Sequence, residues 1–326
     1  MTTVDNMSSM RDIIIDDIYC RMKTESNLFF LSADFGSPQL DKLREDFPDN
    51  FFNIGIAEQN TINIALGLAL EGNSVIIYGI APFITMRAFE QLRVNLAIHS
   101  QLKNIDVTIL GVGAGLSYDV SGPSHHCMED ISIINTLPFF SIYSPSDSFC
   151  ALQLFKHSRK IKKPKYFRLD GKPLPVLSEK INAEDVKNGF RVLNRGNDIC
   201  IISTGYMSQT SYQIIKKNNQ LKITLIDILR ISTLNAIALQ KQIKKHKYIF
   251  SIEEGFIDCG GLDSIINKLC IQMQLNFFVR NFGFAKKYIF DMGTREELHK
   301  QNKLDCDSIA DEILKTMNKI NLEKEK

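Results

Sequence analysis

The sequence lacks paired cysteines, an excess of charge of one sign, and a long apolar run. Its seven cysteines include no CxxC pair, which fits reduced thiols better than a disulfide framework or a zinc site. The 39 basic and 37 acidic residues give a formal net charge of +2. Such a balance argues against a nucleic-acid partner and against a basic membrane-binding face.

Targeting signals are also missing from the sequence. No apolar stretch approaches the roughly 20 residues of a membrane helix. Residues 1–16 carry acidic side chains where a signal peptide has a basic region and an apolar run. We therefore predict a cytoplasmic protein that binds neither nucleic acid nor membrane.

The length and the apolar pattern predict an α/β protein of two domains, each a mainly parallel sheet flanked by helices. The chain has 326 residues, of which 44% are hydrophobic, enough for two cores at roughly 100–200 residues per domain. Apolar blocks suited to buried strands alternate with segments of helical spacing in both halves. Residues 171–188 are polar and interrupted by proline, so they form the predicted linker between residues 1–170 and residues 189–326.

The same pattern places individual elements. The predicted helices span residues 8–24, 58–71, 86–99 and 208–217, and the predicted strands span residues 28–31, 75–80, 107–110, 199–203, 223–226 and 248–252. Gly72 stands where a C-terminal glycine cap belongs.

The most informative segment is FNIGIAEQN, residues 52–60, which places one acid, Glu58, at the start of a predicted helix among apolar neighbours. A carboxyl group held away from water can hand a proton to a ligand nitrogen. A charge at this position can also simply interact with the helix dipole. The residues alone leave both interpretations open.

Two further segments carry candidate ligand-binding side chains. APFITMRAFEQLR, residues 81–93, contains Phe83 and Phe89, which by spacing alone would more often be core residues. GPSHHCMEDI, residues 122–131, opens with a Gly-Pro turn that puts His125 and His126 on a loop. Imidazoles on such a loop can face a cleft or serve the structure.

These segments resemble a known family. The run GIAEQNTINIALGLALEG, residues 55–72, closely resembles the pyrimidine-binding domain of transketolases and deoxyxylulose phosphate synthases. The resemblance implies thiamine diphosphate as cofactor, with Glu58 as the acid that hydrogen-bonds its aminopyrimidine ring and relays a proton. It also implies that Phe83 and Phe89 pack on that ring. His125 takes the place of the active-site histidine in the family's GPTH motif.

Other matches extend the implied site. The segment SAD, residues 32–34, is similar to a family segment near the cofactor and implies that Asp34 lies there. Arg11 and Arg168 correspond to arginines that bind the substrate's phosphate, a role suited to a planar guanidinium, although either is equally plausible as a surface charge. His126 and Ser121 flank these motifs and are further candidates for contact with the substrate.

Three departures from the family pattern distinguish this chain from a typical transketolase. Ser121 stands where transketolases usually carry an acid, and Gly113 stands where many place a histidine for the substrate's phosphate. The Gly-Asp-Gly motif with its later Asn, which holds the metal and the diphosphate in this family, does not occur. Because the diphosphate and its metal need hard oxygen ligands, we expect Mg²⁺ or Ca²⁺ to be held by a partner chain, an N-terminal transketolase-like subunit in a heterotetramer.

The predicted function is the C-terminal subunit of a two-chain enzyme that transfers a two-carbon ketol unit from a ketose to an aldehyde, both small sugars. A deoxyxylulose phosphate synthase-like condensation from pyruvate is a close alternative. A third alternative is the beta chain of a ketoacid dehydrogenase, but the loop GPSHH at residues 122–126 fits that family poorly. A non-catalytic regulatory partner is disfavoured because the site residues are retained together. A glycine-rich run at residues 111–115 is not followed by helical spacing, which disfavours a nicotinamide site.

Overall fold

The computed structural model of the protein describes residues 8–274 and 278–324. The predicted domain ranges and the N-terminal segment also include residues 1–7, 275–277 and 325–326, which lie outside the described residues. The described chain forms two sheets, and each sheet carries its own helices. The predicted α/β class with two mainly parallel sheets is confirmed.

The first sheet has six strands in the order β2-β1-β3-β4-β6-β5. Every neighbouring pair in it is parallel. Its strands are β1 (Leu28–Ser32), β2 (Phe51–Asn53), β3 (Ser74–Ile80), β4 (Val107–Val112), β5 (Ser141–Tyr143) and β6 (Lys165–Leu169).

Both faces of this sheet are covered by apolar side chains. Phe30 of β1 packs in one buried cluster with Ile76 of β3, and the next residues along, Leu31 and Ile77, pack in another. Successive side chains of a strand point to opposite faces. A continuous apolar run is therefore what a parallel sheet between two helical layers requires.

The helices of the first domain include the two predicted at residues 8–24 and 58–71. They are α1 (Met10–Met22), α2 (Pro38–Asp46), α3 (Glu58–Leu70), α4 (Phe89–Gln91), α5 (His99–Leu102), α6 (Asp130–Ile134) and α7 (Ser148–Ser158). The side chain of Ser9 caps α1 by accepting the N–H of Asp12 at 3.2 Å. Beyond α3, Gly72 has a φ of 84°, the left-handed conformation that favours glycine after a helix.

The predicted helix at residues 86–99 differs from a regular α-helix. The chain forms π-helical turns at Phe83–Arg87 and Leu92–Ile98, which enclose α4 and precede α5. A π-helical turn inserts an extra residue into the helical repeat and is frequent at functional sites. The first of these turns carries Phe83 at its start and Arg87 at its end.

The second sheet has five strands in the order β11-β10-β8-β9-β7, and only the pair β7 and β9 is antiparallel. Its strands are β7 (Phe190–Asn194), β8 (Ile199–Thr204), β9 (Ile223–Ile228), β10 (Tyr248–Phe256) and β11 (Phe278–Phe284). The helices are α8 (Ala183–Asn188), α9 (Tyr206–Lys217), α10 (Ala236–Ile243), α11 (Leu262–Met273), α12 (Arg295–Gln301) and α13 (Cys306–Lys324).

The predicted linker at residues 171–188 is irregular up to residue 182, and α8 occupies its last six residues. Asn182 and Asp185 form a capping box at the start of α8, which explains why this polar stretch is helical. The predicted domain boundaries stay a prediction. Across the described ranges, no helix is both long enough and apolar enough to cross a membrane.

Candidate active site

The predicted site residues gather at one edge of the first sheet. Asp34 follows β1, Glu58 follows β2, Phe83 follows β3 and His125 lies on the long connection after β4. The carboxyl ends of parallel strands meet at a common edge, where ligands of α/β proteins usually bind. The topology therefore explains why residues so distant in sequence lie together.

Glu58 begins α3 and is almost fully enclosed. Its carboxylate accepts two hydrogen bonds from Nη1 of Arg87, at 2.7 and 2.8 Å to the two oxygens. The Glu58 side chain is 5% exposed, whereas that of Arg87 is 47% exposed. The ion pair thus joins a buried carboxylate to a guanidinium at the surface.

Phe83 connects this ion pair to the histidine loop. The guanidinium carbon of Arg87 lies 4.6 Å from the centre of the Phe83 ring, within the range of a cation–π contact. The His125 ring meets Phe83 edge to face, with ring centres 5.2 Å apart and an interplanar angle of 71°. We refer to Glu58, Arg87, Phe83 and His125 as the Glu58 cluster.

The two neighbouring histidines have different surroundings. Nδ1 of His125 lies 3.1 Å from the hydroxyl of Ser124, and no group in the described part of the chain bonds its Nε2. His126 is buried, and its Nε2 lies 3.1 Å from the backbone carbonyl oxygen of Asp119. His125 can thus turn a ring nitrogen toward a ligand, whereas His126 holds its own loop.

Asn53 holds Asp34 next to the loop that leads into α3 and Glu58. Asn53 accepts the backbone N–H of Asp34 at 3.1 Å and that of Gly55 at 3.0 Å, and donates to the Asp34 carboxylate at 2.9 Å. Asp34 has a φ of 54°, a left-handed conformation that Asp tolerates better than most residues. The Asn53 side chain therefore fixes the end of β1 against the loop leading into α3.

The remaining predicted residues are placed around this edge. Phe89 packs against the buried hydrophobic cluster that also contains Leu31 and Ile77. Ser121 is exposed at the end of a 3₁₀ turn. Arg11 lies in the first turn of α1, where Nε donates to Asp12 at 2.7 Å.

Gly113 owes its identity to Tyr118. Gly113 has a φ of 104°, and a Cβ atom there would collide with the Tyr118 ring. The same ring also blocks a side chain at Gly171. Burial raises the pKa of Tyr118 to about 12, although the nearby charge of Arg11 acts in the opposite direction. Tyr118 thus fills the space beside the position where many transketolases carry a histidine.

Arg168 lies inside the protein. Its Nε donates to both carboxylate oxygens of Asp130 at 3.0 and 2.9 Å, and its Nη2 donates to the carbonyl oxygen of Glu254 at 3.0 Å. The side chain is 3% exposed. The geometry thus gives Arg168 a structural role between the domains.

A second buried arginine joins the two domains. Arg295, at the start of α12, donates from Nε to Glu254 at 2.8 Å and from Nη1 to Asp170 at 2.6 Å, and Nη2 also bonds Glu254. His299 bonds the same Glu254 carboxylate at 2.6 Å. The backbone N–H of Arg295 donates to the Asp119 carboxylate at 2.8 Å. We refer to these five residues as the interdomain network.

The interdomain network reaches the histidine loop through Asp119. The carboxylate of Asp119 accepts the backbone N–H of Arg295 in the second domain, and the carbonyl oxygen of Asp119 bonds His126. His125 is the residue next to His126. The second domain therefore positions the candidate catalytic loop of the first.

Charge pairing outweighs desolvation at Glu254. Burial alone would raise the pKa of Glu254, but Arg295 and His299 hold it far below its ordinary value of 4.5. A lowered carboxyl pKa contributes stability above the ordinary value, and this contribution is lost as the pH falls toward the lowered one. At Asp170 burial dominates, and it raises the pKa despite the Arg295 charge.

The Glu58 cluster fits only one half of thiamine diphosphate. A carboxylate, an aromatic face and an imidazole suit a flat ring with hydrogen-bonding nitrogens. Within residues 8–274 and 278–324, no three His, Cys, Asp or Glu side chains come together in a way that could hold a metal ion. A cavity of about 790 Å³ in the second domain, beside β7 and α10, contains none of the predicted site residues.

Comparisons with known proteins decide the family. Residues 7–175 match the family model of the transketolase pyrimidine-binding domain, and residues 189–309 match that of the transketolase C-terminal domain. The chain belongs to the transketolase family. The family membership predicted from the sequence is confirmed, and transketolase domains imply the use of thiamine diphosphate.

Relatives match this transketolase chain along most of its length. One of the subunits of the apulose-4-phosphate transketolase of Actinobacillus succinogenes is 28% identical, covering 94% of this chain and 98% of that protein. A putative transketolase C-terminal section of Methanocaldococcus jannaschii is 30% identical, covering 91% and 92%. A 1-deoxy-D-xylulose-5-phosphate synthase of Francisella tularensis is 28% identical, but the match covers only 42% of that protein. The predicted transketolase C-terminal chain is better supported than the synthase alternative.

Solved structures agree on the fold. A split-gene transketolase described as an inactive beta4 tetramer superposes with a TM-score of 0.79 at 23% identity, covering 94% of this chain and 97% of that one. Transketolase from Campylobacter jejuni also gives a TM-score of 0.79, at 16% identity, and the match covers 46% of that chain. Both comparisons support the transketolase fold of the two domains.

Several residues of the site have no role in the sequence prediction. Arg87 and Asn53 lie inside the segments that carry the family resemblance, whereas Glu254 and Arg295 lie in the second domain, beside Gly255 and in the segment GTRE at residues 293–296. The signal that could have found them is a charged or polar residue within an otherwise apolar or glycine-rich motif. Asp119 carries no such signal, because its role depends on a contact with residue 295.

Removal of the Arg295 charge should weaken the link between the domains. Arg295→Met leaves two carboxylates buried without their cation, which should cost about 3–5 kcal/mol of unfolding free energy, measured by urea denaturation at neutral pH. Arg280→Met is the matched control, because Arg280 forms a half-exposed pair with Glu312 at 2.8 Å, and it should cost less than about 1 kcal/mol. Equal losses in the two variants would contradict a stabilising role for the interdomain network.

Proposed function

We propose that this chain is the C-terminal subunit of a two-chain enzyme that transfers a two-carbon ketol unit from a ketose donor to an aldehyde acceptor. The observation that carries the proposal is the Glu58 cluster, which joins a buried carboxylate, an aromatic ring and an imidazole in a transketolase-family chain. The proposed substrates are small sugars. The similarity to one subunit of an apulose-4-phosphate transketolase supports this assignment.

Each residue of the cluster has a task that its position suits. Glu58 bonds a ring nitrogen of the cofactor and exchanges a proton with it. Phe83 packs against the cofactor ring. Phe89 and Asp34 help to form the walls of the cofactor site around that ring. His125 offers its ring nitrogen to an oxygen of the donor. Thiamine diphosphate, when bound, supplies the nucleophilic carbon that takes up the two-carbon unit.

Substrate contacts are assigned by exposure. Arg11 and Ser121 reach the surface at the carboxyl edge of the first sheet, and we assign them to the sugar and its polar groups. His126 and Arg168 are enclosed, and we assign them to the positioning of the histidine loop.

The partner chain completes the site in this proposal. An N-terminal transketolase-like subunit carries the Gly-Asp-Gly motif and holds the diphosphate with Mg²⁺ or Ca²⁺, and two copies of each chain form a heterotetramer. The lack of a metal-binding group among the described residues supports this division. All seven cysteines are unpaired, which supports a reducing, cytoplasmic location.

A deoxyxylulose phosphate synthase-like condensation is the second candidate, because the chain is also 28% identical to such a synthase. The donor distinguishes the two functions. The assembled complex should consume a ketose phosphate without releasing carbon dioxide, whereas release of carbon dioxide from pyruvate would support the synthase.

Assembly with the partner should create the cofactor site. The isolated chain should bind thiamine diphosphate weakly or not at all, because the groups for its diphosphate are missing, and the co-expressed pair should bind it with Mg²⁺. Calorimetric titration of both samples measures the difference. Tight, magnesium-dependent binding to the isolated chain would overturn the two-chain proposal.

The substitution Glu58→Gln should block activation of the cofactor. Glutamine preserves the size and one hydrogen bond of Glu58 but cannot relay a proton. Deuterium exchange at the thiazolium carbon, followed by NMR on the assembled complex, should slow strongly while the complex still forms. Equal exchange rates would leave Glu58 as a helix-terminal charge, and unchanged turnover would favour a regulatory role for the chain.

The substitution His125→Ala should affect turnover more than cofactor binding. Loss of an acid–base group typically lowers the rate by about 10²- to 10⁴-fold, and the proposal gives His125 a contact with the donor rather than with the diphosphate. Steady-state kinetics and cofactor titration of the assembled complex give the two numbers. His126→Gln alters a side chain that holds the same loop, so it should lower turnover less than His125→Ala does. Full activity of His125→Ala would make His125 a structural residue.

A further inference from the structure

Arg87 occupies both surfaces that the proposed function assigns to the cofactor ring. Its Nη1 takes both carboxylate oxygens of Glu58, and its guanidinium lies against the Phe83 ring. With Arg87 in place, only 5% of the Glu58 side chain is exposed. A ligand ring that approaches Glu58 from the surface therefore meets Arg87 first.

A guanidinium group and an aminopyrimidine ring share the relevant chemistry. The guanidinium is planar, carries N–H donors in its plane, stacks on aromatic rings and pairs with carboxylates. An aminopyrimidine is also flat, carries an N–H₂ donor and stacks on aromatic rings. Because Arg87 bonds both oxygens of Glu58 and lies over the Phe83 ring, a cofactor ring that uses these same contacts must displace it.

We propose that Arg87 takes the place of the cofactor's pyrimidine ring for as long as the cofactor is absent, in the free chain and in the assembled complex, and that its guanidinium leaves Glu58 and Phe83 when the ring enters. This inference rests on the proposed use of thiamine diphosphate. The ion pair keeps the buried carboxylate from standing without a partner before assembly. The Arg87 guanidinium can leave this pair because its side chain is 47% exposed.

The proposal reverses the usual expectation for a positive side chain near an anionic cofactor. A guanidinium that attracted the diphosphate would strengthen binding, so its removal would weaken binding. A guanidinium that competes with the ring weakens binding, so its removal strengthens it. The sign of the change in Kd separates the two roles.

The test measures the Kd of thiamine diphosphate for the assembled complex by calorimetric titration at saturating Mg²⁺. Arg87→Met removes the charge and the flat group at similar length. We expect binding about two- to fivefold tighter, because an ion pair of this exposure typically contributes up to about that factor. Arg87→Lys keeps a charge for Glu58 but not the flat group over Phe83, so its Kd should lie between the two.

Arg93→Met is the matched control. Arg93 lies in the same helical segment, is 53% exposed and pairs with Glu90 at 3.3 Å, so its loss should leave the Kd unchanged. In a Glu58→Gln background Arg87 loses its anchor, and Arg87→Met should then change the Kd much less.

Unchanged or weaker binding by Arg87→Met would overturn the inference, and if that variant does not assemble, the same result with Arg87→Lys decides. A full tightening effect in the Glu58→Gln background would also overturn it, because the competition would then not involve Glu58. A wild-type complex that binds no thiamine diphosphate would instead refute the proposed function. The two failures are therefore distinguishable.

Discussion

The guanidinium group of Arg295 is shut off from water between two sheets, and much of the site geometry depends on it. It meets carboxylates of both domains, Asp170 from the first and Glu254 from the second. A buried cation needs such partners, because desolvation without them costs more than the folded state can tolerate. The requirement fixes how the domains meet, and through Asp119 it also fixes the loop that carries His125.

Charge is used differently at the Glu58 cluster. There the Glu58 carboxylate is buried, but the Arg87 guanidinium that pairs with it is half exposed. The surrounding fold therefore holds Glu58, whereas Arg87 is held mainly by the ion pair. Arg168, paired with Asp130 and with the backbone of the second domain, is enclosed on every side. Arg168 therefore holds the structure, whereas Arg87 is the charged group that a ligand can displace.

The sequence predicted the elements whose local pattern and tertiary setting agree. The apolar blocks of β1, β3 and β4 are suited to buried strands, and the structure has them as strands between two helical layers. The start of α3 places Glu58 at the edge of the sheet. Arg87 was not predicted, because its reach to Glu58 depends on the π-helical turn at Phe83–Arg87, which apolar spacing does not reveal. The family resemblance implied a phosphate contact for Arg168, and its burial was not predicted because that burial depends on residues far away in sequence.

The packing of Tyr118 against Gly113 also bears on how this site changes over generations. A side chain at position 113 needs both a smaller neighbour at 118 and a different backbone conformation. Any single replacement on the route passes through a protein with a clash or a void. A chain with a side chain at position 113 therefore differs from this one by at least two coupled changes, and residues 113 and 118 have to be replaced together.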